Sequence, residues 1–311
     1  MCTRLLALAV CTLLFMAGCD KSESVDSTGG ISAKTDSSEP QTTVTLLESG
    51  AEPRTVLRYK FQANRTERMV MEMIMAVTVE IGALKRPETQ LPGTRMTMTI
   101  DTKEVSPEGE LHYEFILEQT EVVPNPDDNP AAIKAMQRQM DTMLGLSGSA
   151  MVTSQGFSTD VTINIPRGAG LQVRQMINDM KQSMTRMLVP LPDEPVGRGA
   201  VWQATTPIET PAMKFTQVAT YALLEIQGDT VKLDVQITQS APPQESRPIG
   251  GAPDSTVMLE SFDTSGSGTV ELQMTNVVPT STLNLTTTSV FSSDQRVTTT
   301  MRIWATIKPL P

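Results

Sequence analysis

The feature that most constrains this chain is an apolar–polar alternation with a period of two residues, repeated from segment to segment. Arg95-Met-Thr-Met-Thr-Ile100, Val231-Lys-Leu-Asp-Val-Gln-Ile237 and Val270-Glu-Leu-Gln-Met274 all alternate, as does Leu111-His-Tyr-Glu-Phe115. Near the C-terminal end, Val297, Thr299, Met301, Ile303, Ala305 and Ile307 fall on one side. Successive side chains of a strand point to opposite faces, so each segment predicts a strand with one apolar and one wet face. Short turn signals lie between them: Pro107-Glu108-Gly109, Gln227-Gly228-Asp229 and Ser265-Gly-Ser-Gly268. Parallel neighbours need a crossover of about a dozen residues, so these connections join antiparallel strands. The pattern predicts about ten to twelve strands.

Two segments change period. Asn129-Pro130 reads as an N-cap followed by proline at the first helical position. Ile133, Met136, Met140, Met143 and Leu144 then form a stripe that ends at Gly145, predicting a helix at about residues 130–145. Val173, Met176, Ile177, Met180, Met184, Met187 and Leu188 form a second stripe, at about residues 170–189, before Pro190 stops it. A hairpin about Gln155-Gly156 is expected between the two helices. The implied class is α+β. A large curved antiparallel sheet, a half-open barrel, carries two amphipathic helices packed on its concave face.

The N-terminal region has a different character. Arg4 precedes an apolar run over residues 5–16, too short to span a bilayer and suited to the core of a signal peptide. Met16-Ala17-Gly18-Cys19 resembles the lipobox of bacterial lipoprotein signals, although Met16 stands where such motifs usually carry Leu. That resemblance implies cleavage after Gly18 and acylation of Cys19. An ordinary secretory signal is the alternative. The expected organisation is a signal peptide at 1–18, an acylated Cys19 with a Ser/Thr-rich tether at 19–52, and a single β-rich domain at 53–311. Asp20 resembles an inner-membrane retention signal, and either envelope membrane stays open.

Composition removes most site chemistry. The chain has one His, His112, and three Cys, of which Cys2 and Cys11 lie in the leader. Common zinc sites need more ligands than that. No Gly-x-Ser-x-Gly, P-loop, Gly-x-Gly-x-x-Gly or EF-hand loop occurs. The expectation is no metal, no cofactor and no enzyme. A net charge of −10 argues against nucleic acid as a partner.

Methionine is the remaining signal, with 20 Met against 7 Phe. Its unbranched, polarizable side chain adapts to varied apolar surfaces. Met136, Met140, Met143, Met176, Met180, Met184 and Met187 are the candidate ligand-lining residues, and Met69, Met71, Met73, Met75, Met96 and Met98 lie in strands expected to face them. An ordinary core is the other reading of these stripes. In element order the folded part resembles half-barrel lipid-binding lipoproteins of the LolA/LolB and LppX types, with no motif matched residue by residue. The resemblance implies an envelope lipoprotein that faces the periplasm and binds or carries a lipid. The alternative is a lipoprotein with a filled core that engages another envelope protein.

Overall fold

The computed structural model describes residues 42–164, 187–210, 212–246, 256–292 and 295–311. In chain order the first elements are β1 (Thr43–Glu48), β2 (Arg65–Ile81), β3 (Leu84–Lys85), β4 (Thr89–Gln90), β5 (Gly93–Val105), β6 (Leu111–Val123) and α1 (Pro130–Asp141). There follow β7 (Ser147–Val152), β8 (Ser158–Asn164), β9 (Val201–Glu209), β10 (Lys214–Gln227) and β11 (Thr230–Ala241). The last are β12 (Gln244–Ser246), β13 (Val257–Gln273), β14 (Thr280–Ser292) and β15 (Arg296–Leu310).

The alternating sequence builds one sheet of fifteen strands in the order β1-β9-β10-β11-β13-β14-β15-β2-β5-β6-β7-β8, with β12, β3 and β4 pairing to its side. The predicted turns at Gly109 and Gly228 are present, both with φ in the left-handed region that glycine adopts at no steric cost. The sheet is open. Strands β1 and β8 are its edges, and no ladder among the described residues joins them.

This corrects the expected class. The protein is mainly β, not α+β, and the half-open barrel with two helices across it does not describe it. Among the described residues α1 is the single α-helix. Residues 171–186, which carry most of the second predicted helix, lie outside the described residues. Strand was under-read because short pieces such as β3, β4 and β12 show too few residues for a period to register. Ser265-Gly-Ser-Gly268, expected as a break, instead runs through the middle of β13.

Helix α1 forms where it was expected and stops sooner. Asn129 Oδ1 accepts the Ala131 N–H at 2.8 Å, a cap that contributes about 1 kcal/mol. At the other end the Thr142 hydroxyl donates to the Gln139 carbonyl at 2.6 Å. Gly145, with φ +76°, then turns the chain so that its N–H meets the Leu117 carbonyl of β6 at 3.0 Å. Gln137 fixes the helix to the same strand, accepting from Val122 N–H at 2.7 Å and donating to the Thr120 carbonyl at 3.0 Å.

The core lies on one face of the sheet, here the inner face. One cluster contains Trp202, Leu223 and Leu233 from one limb and Ile100, Leu111 and Tyr113 from the other. Strands that far apart in the sheet share a core only if the sheet bends and something fills the space. Leu57, Tyr59, Phe61, Leu188, Val189 and Leu191 fill it. This filling segment is tied to both limbs: Tyr59 N–H donates to Ser154 O at 2.8 Å, Leu191 N–H to Gln155 O at 2.9 Å, and Lys60 N–H to Met274 O at 2.6 Å. Trp202 is fully buried, stacks on Tyr221 at 5.6 Å, and donates its indole N–H to Pro190 O at 2.9 Å.

Candidate ligand-binding face

The candidate methionines do not form a single lining. Met140 and Met143 are buried with Leu117, Val122 and Leu146, while Met136 and Met96 are partly buried at the margin of the same cluster. Side chains fill this helix–sheet contact. Of the strand methionines expected to face the helix, only Met96 does; Met69, Met71 and Met98 join the main core, and Met73 and Met75 a third cluster. Met187 packs partly buried against the main core. Met176, Met180, Met184 and the anchor Cys19 lie outside the described residues. A groove of about 500 Å³ beside α1 is lined by Pro124, Asp128, Pro130, Ile133, Lys134 and Gln137, and by none of the methionines.

The apolar surface that stays accessible lies elsewhere, on the inner face at the centre of the sheet. Direct pairing aligns residues in rows across the strands. One row runs Trp202, Tyr221, Val235, Gly268, Leu283, Ala305, Met73. The next runs Ala204, Ala219, Ile237, Gly266, Leu285, Ile303, Met75. Trp202, Ala204, Ala219, Tyr221, Val235 and Met75 are buried, whereas Ile237, Leu283, Leu285, Ile303, Ala305 and Met73 are only half-buried and adjoin one another. Gly266 and Gly268 make the strip shallow. A Cβ at Gly266 would meet Leu285 Cδ2 and the Asn284 carbonyl, and one at Gly268 would meet Leu283 Cδ2 and the Thr282 carbonyl. The two leucines lie across the space that side chains on β13 would fill. The sequence offered a signal for this, since the serines and glycines of that stretch alternate, but a Gly/Ser run reads first as a turn.

The inner face is almost free of charge. At inward positions of β9, β10, β11, β13, β14 and β15, and of β2 from Met69 onward, no charged residue occurs. Arg65 and Glu67 sit at the start of β2, and both are engaged. Glu67 accepts the backbone N–H groups of Val277 and Val278, and Arg65 donates to Gln62 and Asn276 side chains. All three tyrosines are buried on this face, and burial pushes their hydroxyl pKa values well above the ordinary value, most strongly for Tyr59, where Tyr221 adds to the effect. The outer face carries the ion pairs instead, such as Arg95 between Glu72 and Glu121 at 2.7 and 2.6 Å. His112 lies on that outer side, opposite Glu104 of β5.

Among the described residues no group of three or more His, Cys, Asp or Glu side chains is arranged to hold a metal. None of the described helices is long and apolar enough to cross a membrane. The fold and this face define a mainly-β protein with an uncharged, partly open apolar surface on a bent antiparallel sheet. Residues 171–288 match the model of a family of unknown function, DUF6263. That match spans β9 to β13 and most of β14, the strands that supply Ile237, Leu283 and Leu285 of the apolar strip. No curated protein matches the chain.

Proposed function

We propose that this protein is a non-enzymatic envelope lipoprotein, moored to a bacterial membrane through acylated Cys19, that binds or carries a lipid or other apolar molecule on the inner face of its sheet. The observation that supports this reading is the half-buried strip formed by Met73, Ile237, Leu283, Leu285, Ile303 and Ala305. Apolar side chains in a bent sheet gain about 0.8 kcal/mol per methylene when an acyl chain covers them, so such a strip favours an apolar occupant over water. The site differs from the methionine stripe in its residues while keeping the same ligand class.

The test is mass spectrometry of an organic extract from protein purified without detergent. The expected result is one lipid class recovered in constant ratio to protein. A clean extract would favour the second reading, an interaction lipoprotein with a filled core. The full packing of Met140 and Met143 and the open edges at β1 and β8 speak for that alternative.

A further inference from the structure

The two rows of the strip are followed, towards the β12 end of the sheet, by a row of different chemistry. Thr206 lies opposite Gln217, Gln217 opposite Gln239, Gln239 opposite Thr264, and Thr264 opposite Thr287. All of these are inward positions, in register with Ala204, Ala219, Ile237, Gly266 and Leu285 two residues away on each strand. Uncharged amide and hydroxyl groups therefore line one border of an apolar strip. Gln239 Nε2 donates to Gln217 Oε1 at 2.8 Å, and the Thr264 and Thr287 hydroxyls are 2.8 Å apart. The Gln–Gln bond uses one donor and one acceptor. It leaves the Gln217 amide N–H groups and the Gln239 carbonyl oxygen without a partner among the described residues, at half-buried positions.

Among the described residues, the cations at this end of the sheet are engaged in ion pairs. Lys214 and Glu209, at the end of the same strands, pair with each other at 2.6 Å, and Arg296 pairs with Glu260 at 2.9 Å. Arg65 and Glu67, the charges on the inner face, lie at the opposite end of β2 and are engaged there. A carboxylate or phosphate brought to this border would lose water and gain no free counter-charge from the described residues, which a half-buried site does not offset. A hydroxyl, ester or amide would find both a donor and an acceptor.

We propose that the ligand is an uncharged amphiphile, whose chain lies along the strip and whose neutral hydrogen-bonding head meets Gln217 and Gln239. This inference rests on the reading of the inner face as an apolar ligand site, and it names the class of ligand.

The experiment compares three probes of equal chain length on the full chain: a monoacylglycerol, the corresponding fatty acid, and the corresponding alkane. The expected result is that the glyceride binds with an affinity flat in pH. The fatty acid binds only when protonated, so its affinity falls about tenfold per pH unit above its own pKa. The alkane binds more weakly than the glyceride. In Gln239→Lys, shown by thermal unfolding to be folded, the fatty acid becomes the tighter ligand at neutral pH. Should that variant unfold, Gln217→Lys, at the other member of the pair, serves for the same comparison. Equal binding of glyceride and ionised fatty acid by the native chain would overturn this inference and leave the apolar site standing. Equal binding of glyceride and alkane would do the same. Failure of all three probes to bind would remove both.

Discussion

Both carboxylate oxygens of Glu67 accept the backbone N–H of Val277, at 3.0 and 3.1 Å, and one of them also accepts that of Val278 at 2.9 Å. The segment between β13 and β14 is thereby pinned to the start of β2, across a sequence separation of 210 residues. Charge-assisted bonds of this kind are roughly twice as strong as neutral ones. Glu67→Gln places an amide N–H₂ against two backbone donors and is expected to cost about 1–3 kcal/mol. The midpoint of urea unfolding measures it, and an unchanged midpoint would show that the pin is dispensable.

The three tyrosines predict an alkaline limit to stability. Burial raises the pKa of Tyr59, Tyr113 and Tyr221, so the folded chain keeps protons that the unfolded chain releases. Their contribution is complete below the unfolded value of about 10 and is lost as pH climbs above it, because the unfolded state then binds fewer protons. Tyrosinate absorbance should therefore stay low past pH 10 and then rise together with loss of sheet structure by circular dichroism. A reversible titration near pH 10 with the sheet intact would contradict this.

Two of those hydroxyls differ in their partners. Tyr59 Oη donates to Val189 O at 3.2 Å, whereas Tyr113 Oη is buried with no partner among the described residues. Removing an unsatisfied buried hydroxyl relieves a desolvation cost. Tyr113→Phe is expected to be neutral or to stabilise by up to about 1 kcal/mol, and Tyr59→Phe to destabilise by about 1 kcal/mol. Thermal melts of the two variants, run side by side, compare the signs.

The glycines in β13 predict a dissociation of stability from sequence appearance. Although Ser265-Gly-Ser-Gly268 resembles a loop, Gly268→Ala is expected to cost about 1–3 kcal/mol, since the new methyl meets the backbone of β14 and Leu283. A loop position would tolerate alanine, so an unchanged melting temperature would argue against this register.

The tryptophans report on the two faces. Trp202 is fully buried, while Trp304 is 37% exposed on the outer side, beside Arg302 at 5.8 Å. Acrylamide is expected to quench one component of the emission, and Trp304→Phe to abolish that component. Two quenchable components in the native chain would contradict the burial of Trp202.

What could be read in advance followed from period and caps. The alternation in β11 and β15 is long enough to fix which side faces the core, and Asn129-Pro130 marks the start of α1 without help from tertiary contacts. Cross-strand neighbours are a different matter. That Gly266 faces Leu285, or that Gln217 faces Gln239, depends on register between strands, which no single segment encodes. The methionine stripe of α1 was legible as an apolar face, but a filled core and a ligand wall share that pattern. The distinction came from Met140 and Met143 being fully covered while Leu283 and Leu285 are not.

The central claim concerns where an apolar ligand sits. The most direct measurement is photo-crosslinking of the full chain with a monoacylglycerol that carries a diazirine on its acyl chain, followed by peptide mapping. Adducts are expected on β14, β15 and β2, at Leu283, Leu285, Ile303 and Met73. Adducts confined to the outer face around Ile74 and Trp304, or to the groove beside α1, would contradict the account.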